Sequence, residues 1–77
     1  MYALLLTQIL FIVEEAFMSS KDRFYKIFGN LPIATRDEVI LYIQGDGISW
    51  RVAKLEIDND TPLSKIILAK LEELRII

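Results

Sequence analysis

Residues 38–57 of the chain, EVILYIQGDGISWRVAKLEI, decide the fold. From Glu38 to Gln44 the residues are β-branched and aromatic, with Val39, Leu41 and Ile43 alternating against Ile40 and Tyr42, which predicts a strand. Gly45-Asp46-Gly47 follows, and glycine supplies the positive φ that a tight hairpin turn demands. With Gly45-Asp46 as the loop, Ile43 faces Ile48 and Leu41 faces Trp50 across the hairpin. A phosphate-binding loop would need more glycines, and commonly a lysine, opening a helix.

Beyond Ile48 two periods compete. As a continuing strand, Ser49 to Ile57 requires a bulge near Val52-Ala53, because the apolar set switches from Trp50 and Val52 to Ala53, Leu55 and Ile57. As a helix, Ser49 is the N-cap and Trp50, Ala53 and Ile57 share one face, while Val52 and Leu55 point elsewhere. The helix from Trp50 to Asp58 is the reading adopted.

Working outward, Asp58-Asn59-Asp60 breaks the chain, and Thr61 then caps a last helix with Pro62 in its first turn. Leu63, Ile66, Ile67, Leu71, Leu74 and Ile77 share the expected core stripe, leaving Leu68 and Ile76 outside it. On the other side of the hairpin, Ser19 or Ser20 caps a helix over Lys21 to Phe28. Phe24, Ile27 and Phe28 form its buried stripe, and Gly29-Asn30 is its expected stop.

The chain starts with MYALLLTQILFIV, residues 1–13. This run lacks the basic start and small-residue cleavage site of a secretory signal, and it falls short of the roughly 20 apolar residues of a membrane span. On a helical wheel Thr7, Gln8, Glu14 and Glu15 occupy one arc, opposite Tyr2, Leu5, Leu6, Ile9, Ile12, Val13 and Ala16. Residues 1–17 therefore read as an amphipathic helix with a wide apolar face, which either packs on its own domain or is shared with another chain. Tyr2, Leu6, Ile9, Val13 and Ala16 follow a/d spacing, although two heptads do not make a coiled coil. The only charges before Ser19 are Glu14 and Glu15, so Met18 is a second candidate start and residues 18–77 form the single small domain.

The fold expected is α+β, a helix-rich small single domain with a two-stranded antiparallel β-hairpin, in the order α-α-β-β-α-α. Its 77 residues are 53% hydrophobic with a mean hydropathy of +0.36. That places it outside the disordered range and gives it more apolar surface than so small a domain easily hides.

The chain has no cysteine and no histidine, which removes disulfides, thiolate metal sites and the usual neutral-pH general base. Asp58-x-Asp60 resembles the start of a calcium loop, yet the sixth position is Leu63 and the twelfth Ala69. Asn59-Asp60-Thr61 matches a glycosylation sequon but precedes Pro62. Asp37-Glu38 and Glu72-Glu73 are adjacent pairs that point to different faces, so no catalytic constellation emerges and the chain is not expected to be an enzyme. No cofactor, metal or small-molecule ligand is implied.

Nine basic residues against eleven acidic ones give a net charge of −2, without the basic excess that nucleic-acid binders use to neutralise phosphate. Lys21, Arg23 and Lys26 alternate with Phe24, Tyr25 and Phe28 in a possible stacking patch, but Asp22 interrupts it. A nucleic-acid-binding or transcription-regulatory protein using the two C-terminal helices is the alternative function. Against it stand Asp58 and Asp60 at the mouth of the would-be recognition helix.

The stretch Glu38 to Leu74 resembles small uncharacterised archaeal proteins. It does so through Tyr42-Ile43, Gly45, Ile48-Ser49-Trp50, Ala53, Glu56-Ile57, Asn59, Thr61-Pro62-Leu63 and Ile67-Leu68. The resemblance implies a recurring hairpin-and-helices module and brings no activity with it. Separately, the protein is expected to be cytoplasmic. Abundant isoleucine and the lack of cysteine and histidine fit a thermophilic source.

The leading expectation is a protein-interaction module, self-associating as a homo-oligomer or binding another protein. Its interface is expected at Leu5, Leu6, Ile9, Ile12 and Val13, with Leu68 and Ile76 at the C-terminal end.

Overall fold

The computed structural model describes residues 18–77, so the expected helix over residues 1–17 lies outside the described residues. Helix α1 (Ser20–Asn30) leads through a 3-10 turn (Ile33–Asp37) to strands β1 (Val39–Ile43) and β2 (Asp46–Ser49), followed by helices α2 (Trp50–Asp58) and α3 (Pro62–Glu73). The strands form one two-stranded antiparallel sheet. The described part is thus an α+β domain ordered helix, hairpin, helix, helix.

Each helix starts where a hydroxyl can satisfy an orphan backbone N–H. Ser19 Oγ accepts from Asp22 N, Ser49 Oγ from Val52 N and Thr61 Oγ1 from Ser64 N, each at 3.1 Å. Ser49 closes β2 and caps α2 at once, which settles the competition between strand and helix after Ile48.

The hairpin differs from expectation in its loop. Gln44 (φ 51°) and Gly45 (φ 86°) are the two turn residues, and Ile43 pairs with Asp46, Tyr42 with Gly47 and Leu41 with Ile48. Both turn residues are left-handed, the mark of a type I′ turn, which favours glycine second and so selects Gln44-Gly45 over Gly45-Asp46. A Cβ at Gly47 would lie 3.3 Å from both Val39 methyls, a tight contact that would oblige the half-exposed Val39 side chain to shift by a few tenths of an ångström.

A register shift between Val39 and Leu41 breaks the expected alternation. Val39 turns outward, Ile40 becomes half-buried against the core, and Leu41 stays buried.

Helix α1 runs through Gly29-Asn30 instead of stopping there, with Leu31 as its C-cap. Gly29 does not take a positive φ, and it is the residue before Pro32 that leaves helical geometry.

The ends of α2 and α3 share one device. Thr61 N reaches Glu56 O at 3.3 Å and Asp60 N reaches Ile57 O at 3.1 Å; Ile76 N reaches Leu71 O at 2.9 Å and Arg75 N reaches Glu72 O at 3.0 Å. These are Schellman closures, with Asp60 (φ 49°) and Arg75 (φ 57°) in the left-handed position that glycine usually takes.

The core joins Phe24 and Phe28 of α1, Leu41 and Ile48 of the hairpin, Trp50, Ala53 and Ile57 of α2, and Ile67 and Leu71 of α3. Phe24 is its hub, with ring centroids 5.7 Å from Trp50 and 6.0 Å from Phe28.

On α3 the buried stripe is Ser64, Ile67 and Leu71, rotated from the expected one. Ser64 can enter because its hydroxyl donates to Thr61 O at 2.6 Å. Ile66 and Leu74, expected in the core, are 49% and 56% exposed.

Candidate interaction surfaces

Among the described residues, two open grooves border α1 and α2. The first, of about 520 Å3, is lined by Met18, Arg23, Lys26, Ile27, Asn30, Leu31 and Ile77. Residues 23, 26, 27, 30 and 31 recur at three- and four-residue spacing, so one face of α1 forms a continuous wall. Its centre is apolar and its edge basic.

Arg23 bridges to Glu72 of α3 through Nη2, and Ser20 donates its hydroxyl to the same carboxylate. The Arg23 Nε is shielded from solvent and has no hydrogen-bond partner among the described residues.

The second groove, of about 530 Å3, is lined by Phe28, Arg36, Arg51, Val52, Lys54, Leu55 and Asp58. The Arg36 guanidinium lies 4.5 Å from the centroid of the Phe28 ring, and Lys54 Nζ lies 5.7 Å from it. Arg51 Nε bonds Asp37 Oδ1 at 2.7 Å, tying α2 to the 3-10 turn.

Asp58 receives two donors, Lys54 Nζ at 2.6 Å and the Tyr25 hydroxyl. Those two bonds hold the Asp58 carboxyl below its ordinary value. The same contact, with partial desolvation, pushes the Tyr25 phenol up to about 12, since ionising it would place two negative charges together.

The aromatic and basic patch on α1, against which Asp22 already argued, does not assemble. Phe24 and Phe28 are buried in the core, Tyr25 is bonded to Asp58, and Arg23 is paired with Glu72. Among the described residues no three metal-ligating side chains come together, and no helix is long and apolar enough to cross a membrane.

Of the expected interface residues, Leu5, Leu6, Ile9, Ile12 and Val13 lie outside the described residues. Leu68 and Ile76 are half-buried and pack against the core. Ile76 returns there because the closure at Arg75 folds the chain back over Leu71.

Exposed apolar side chains lie elsewhere: Val52 and Leu55 on α2, Ile66 and Leu74 at α3, Ile33 in the 3-10 turn and Tyr42 on β1. Sequence periodicity had placed Val52 and Leu55 off the core face. Ile66 and Leu74 were hidden by the misplaced stripe, and Ser64 was the missed signal. Comparison with family models, curated protein sequences and solved structures finds no match to this chain.

Proposed function

We propose that the chain is a small protein-interaction module that self-associates through apolar helix faces. The observation that carries this is the apolar surface the described residues leave uncovered. Among them nine hydrophobic residues are buried, yet Leu55, Ile66 and Leu74 are about half exposed or more. Such surplus on a small domain is where a second subunit covers area.

Residues 1–17 add more of the same chemistry, with Leu5, Leu6, Ile9, Ile12 and Val13 as the proposed contacts and Glu14 and Glu15 as the only charges. The partner is a second copy, because a self-complementary apolar patch needs only two-fold symmetry to close.

Size-exclusion chromatography with light scattering on the full chain, beside a chain beginning at Met18, tests the proposal. A defined oligomer for the full chain and a folded monomer for the shorter one support it. Two folded monomers overturn it.

A further inference from the structure

We propose that the second groove is a docking site for an acidic segment of another protein, one that carries a carboxylate beside large apolar side chains. This goes beyond self-association, which Ile66 and Leu74 at α3 serve whether or not the groove is filled.

The groove is cationic in a chain that is not. Its lining holds three cations, Arg36, Arg51 and Lys54, against one carboxylate, Asp58, whereas the whole chain carries a net charge of −2. Two of those cations are already answered, since Asp37 holds Arg51 at 2.7 Å and Asp58 holds Lys54 at 2.6 Å. Arg36 forms no ion pair among the described residues, so its charge is the surplus in the groove.

That charge is held in place. The Arg36 guanidinium lies 4.5 Å from the centroid of the Phe28 ring, and its Nη2 donates to Phe28 O at 3.4 Å. Its Nε is shielded from solvent without a hydrogen-bond partner among the described residues. Nη1 makes no hydrogen bond among them either, which leaves the outer end of the fork for an acceptor. A guanidinium fixed before binding loses little rotamer freedom when it meets a carboxylate.

Apolar surface adjoins the charge. Val52 and Leu55, three residues apart on one side of α2, are exposed in the same groove. Apolar side chains edged by charged ones are the plan of a protein-binding patch. A nucleic acid fits less well, because a row of phosphates needs several free cations, and Asp37 and Asp58 occupy the neighbouring ones. One surplus cation beside two aliphatic side chains matches one carboxylate beside apolar groups.

The test selects a displayed library of random short peptides on the full chain. Binding of the selected peptides is then measured by fluorescence anisotropy on the full chain, on Arg36→Gln and on Leu55→Asp. The peptides recovered carry aspartate or glutamate next to leucine, isoleucine or phenylalanine, and added salt weakens them. Arg36→Gln weakens them about tenfold to a hundredfold, the loss of a charge-assisted hydrogen bond. Leu55→Asp, at a position outside the core, weakens them as well. In NMR spectra of the unsubstituted full chain, a selected peptide shifts the shielded Arg36 Nε–H signal together with the amides of Val52 and Leu55.

Failure to recover any peptide, peptides without acids, undiminished binding to either variant, or shifts confined to other residues overturns the proposal. Shifts of the same signals with protein concentration alone assign the groove to a second copy and also overturn it. The NMR arm reads the groove whatever Arg36→Gln does to folding. Light scattering on the peptide-free chain reads self-association separately, so either proposal can fail alone.

Discussion

The Tyr25 hydroxyl of α1 donates to the Asp58 carboxylate at the end of α2, and Lys54 donates to the other oxygen of that carboxylate at 2.6 Å. One acid thereby joins two helices whose buried faces meet through Phe24 and Trp50.

Stability therefore depends on pH at both ends of the scale. The Tyr25 phenol titrates near 12 when folded against 10.0 ordinarily. Its contribution is fully present below pH 10 and is lost as pH rises through about 12. Asp58 has a lowered value, so its contribution is present above its ordinary 3.8 and is lost as pH falls through the lowered value. In urea titrations followed by Trp50 fluorescence, Tyr25→Phe flattens the alkaline limb and Asp58→Asn the acid limb.

The rotation of α3 is testable with neighbouring isoleucines. Ile67 is fully buried and Ile66 is about half exposed. Ile67→Ala costs about 2–5 kcal/mol by the cavity it leaves, whereas Ile66→Ala stays within about 0.5 kcal/mol as a surface change. Equal losses in urea denaturation would contradict the placement of the stripe.

Arg75 occupies a left-handed position without being glycine. Arg75→Gly relieves that strain and raises stability by about 0.5–1 kcal/mol, net of the extra freedom it gives the unfolded chain. The thermal midpoint reports it.

Thr61 serves α3 through Ser64 N and also donates its hydroxyl to the Glu56 carboxylate. Thr61→Ala removes the cap at a cost of about 1 kcal/mol, and Thr61→Ser retains most of it.

Local chemistry was the legible part of the sequence. Ser49 and Thr61-Pro62 announced two helix starts because capping needs only a hydroxyl at one position. Trp50, Ala53 and Ile57 were readable as one face. The hairpin register was not, because Gly45-Asp46-Gly47 admits two loops, and the choice falls to the turn's preference for glycine second.

The α3 stripe was misplaced because a buried serine looks polar until its bond to Thr61 O is known. Arg75 concealed a helix stop that glycine would have announced, and with it the return of Ile76 to the core. At the interaction surfaces, the pair Lys54–Asp58 went unread, although its i,i+4 spacing on a helix is one that sequence carries. The stacking of Arg36 on Phe28 and the bond from Tyr25 to Asp58 depend on tertiary approach, which periodicity does not carry.

Whether apolar helix faces join copies of this chain is read by light scattering across a concentration series of the full chain and of Leu5→Glu with Ile9→Glu. Self-association through these faces gives a defined oligomer for the unsubstituted chain and a folded monomer for the variant. An unsubstituted chain that stays monomeric throughout, or a variant that keeps its oligomeric mass, would contradict it.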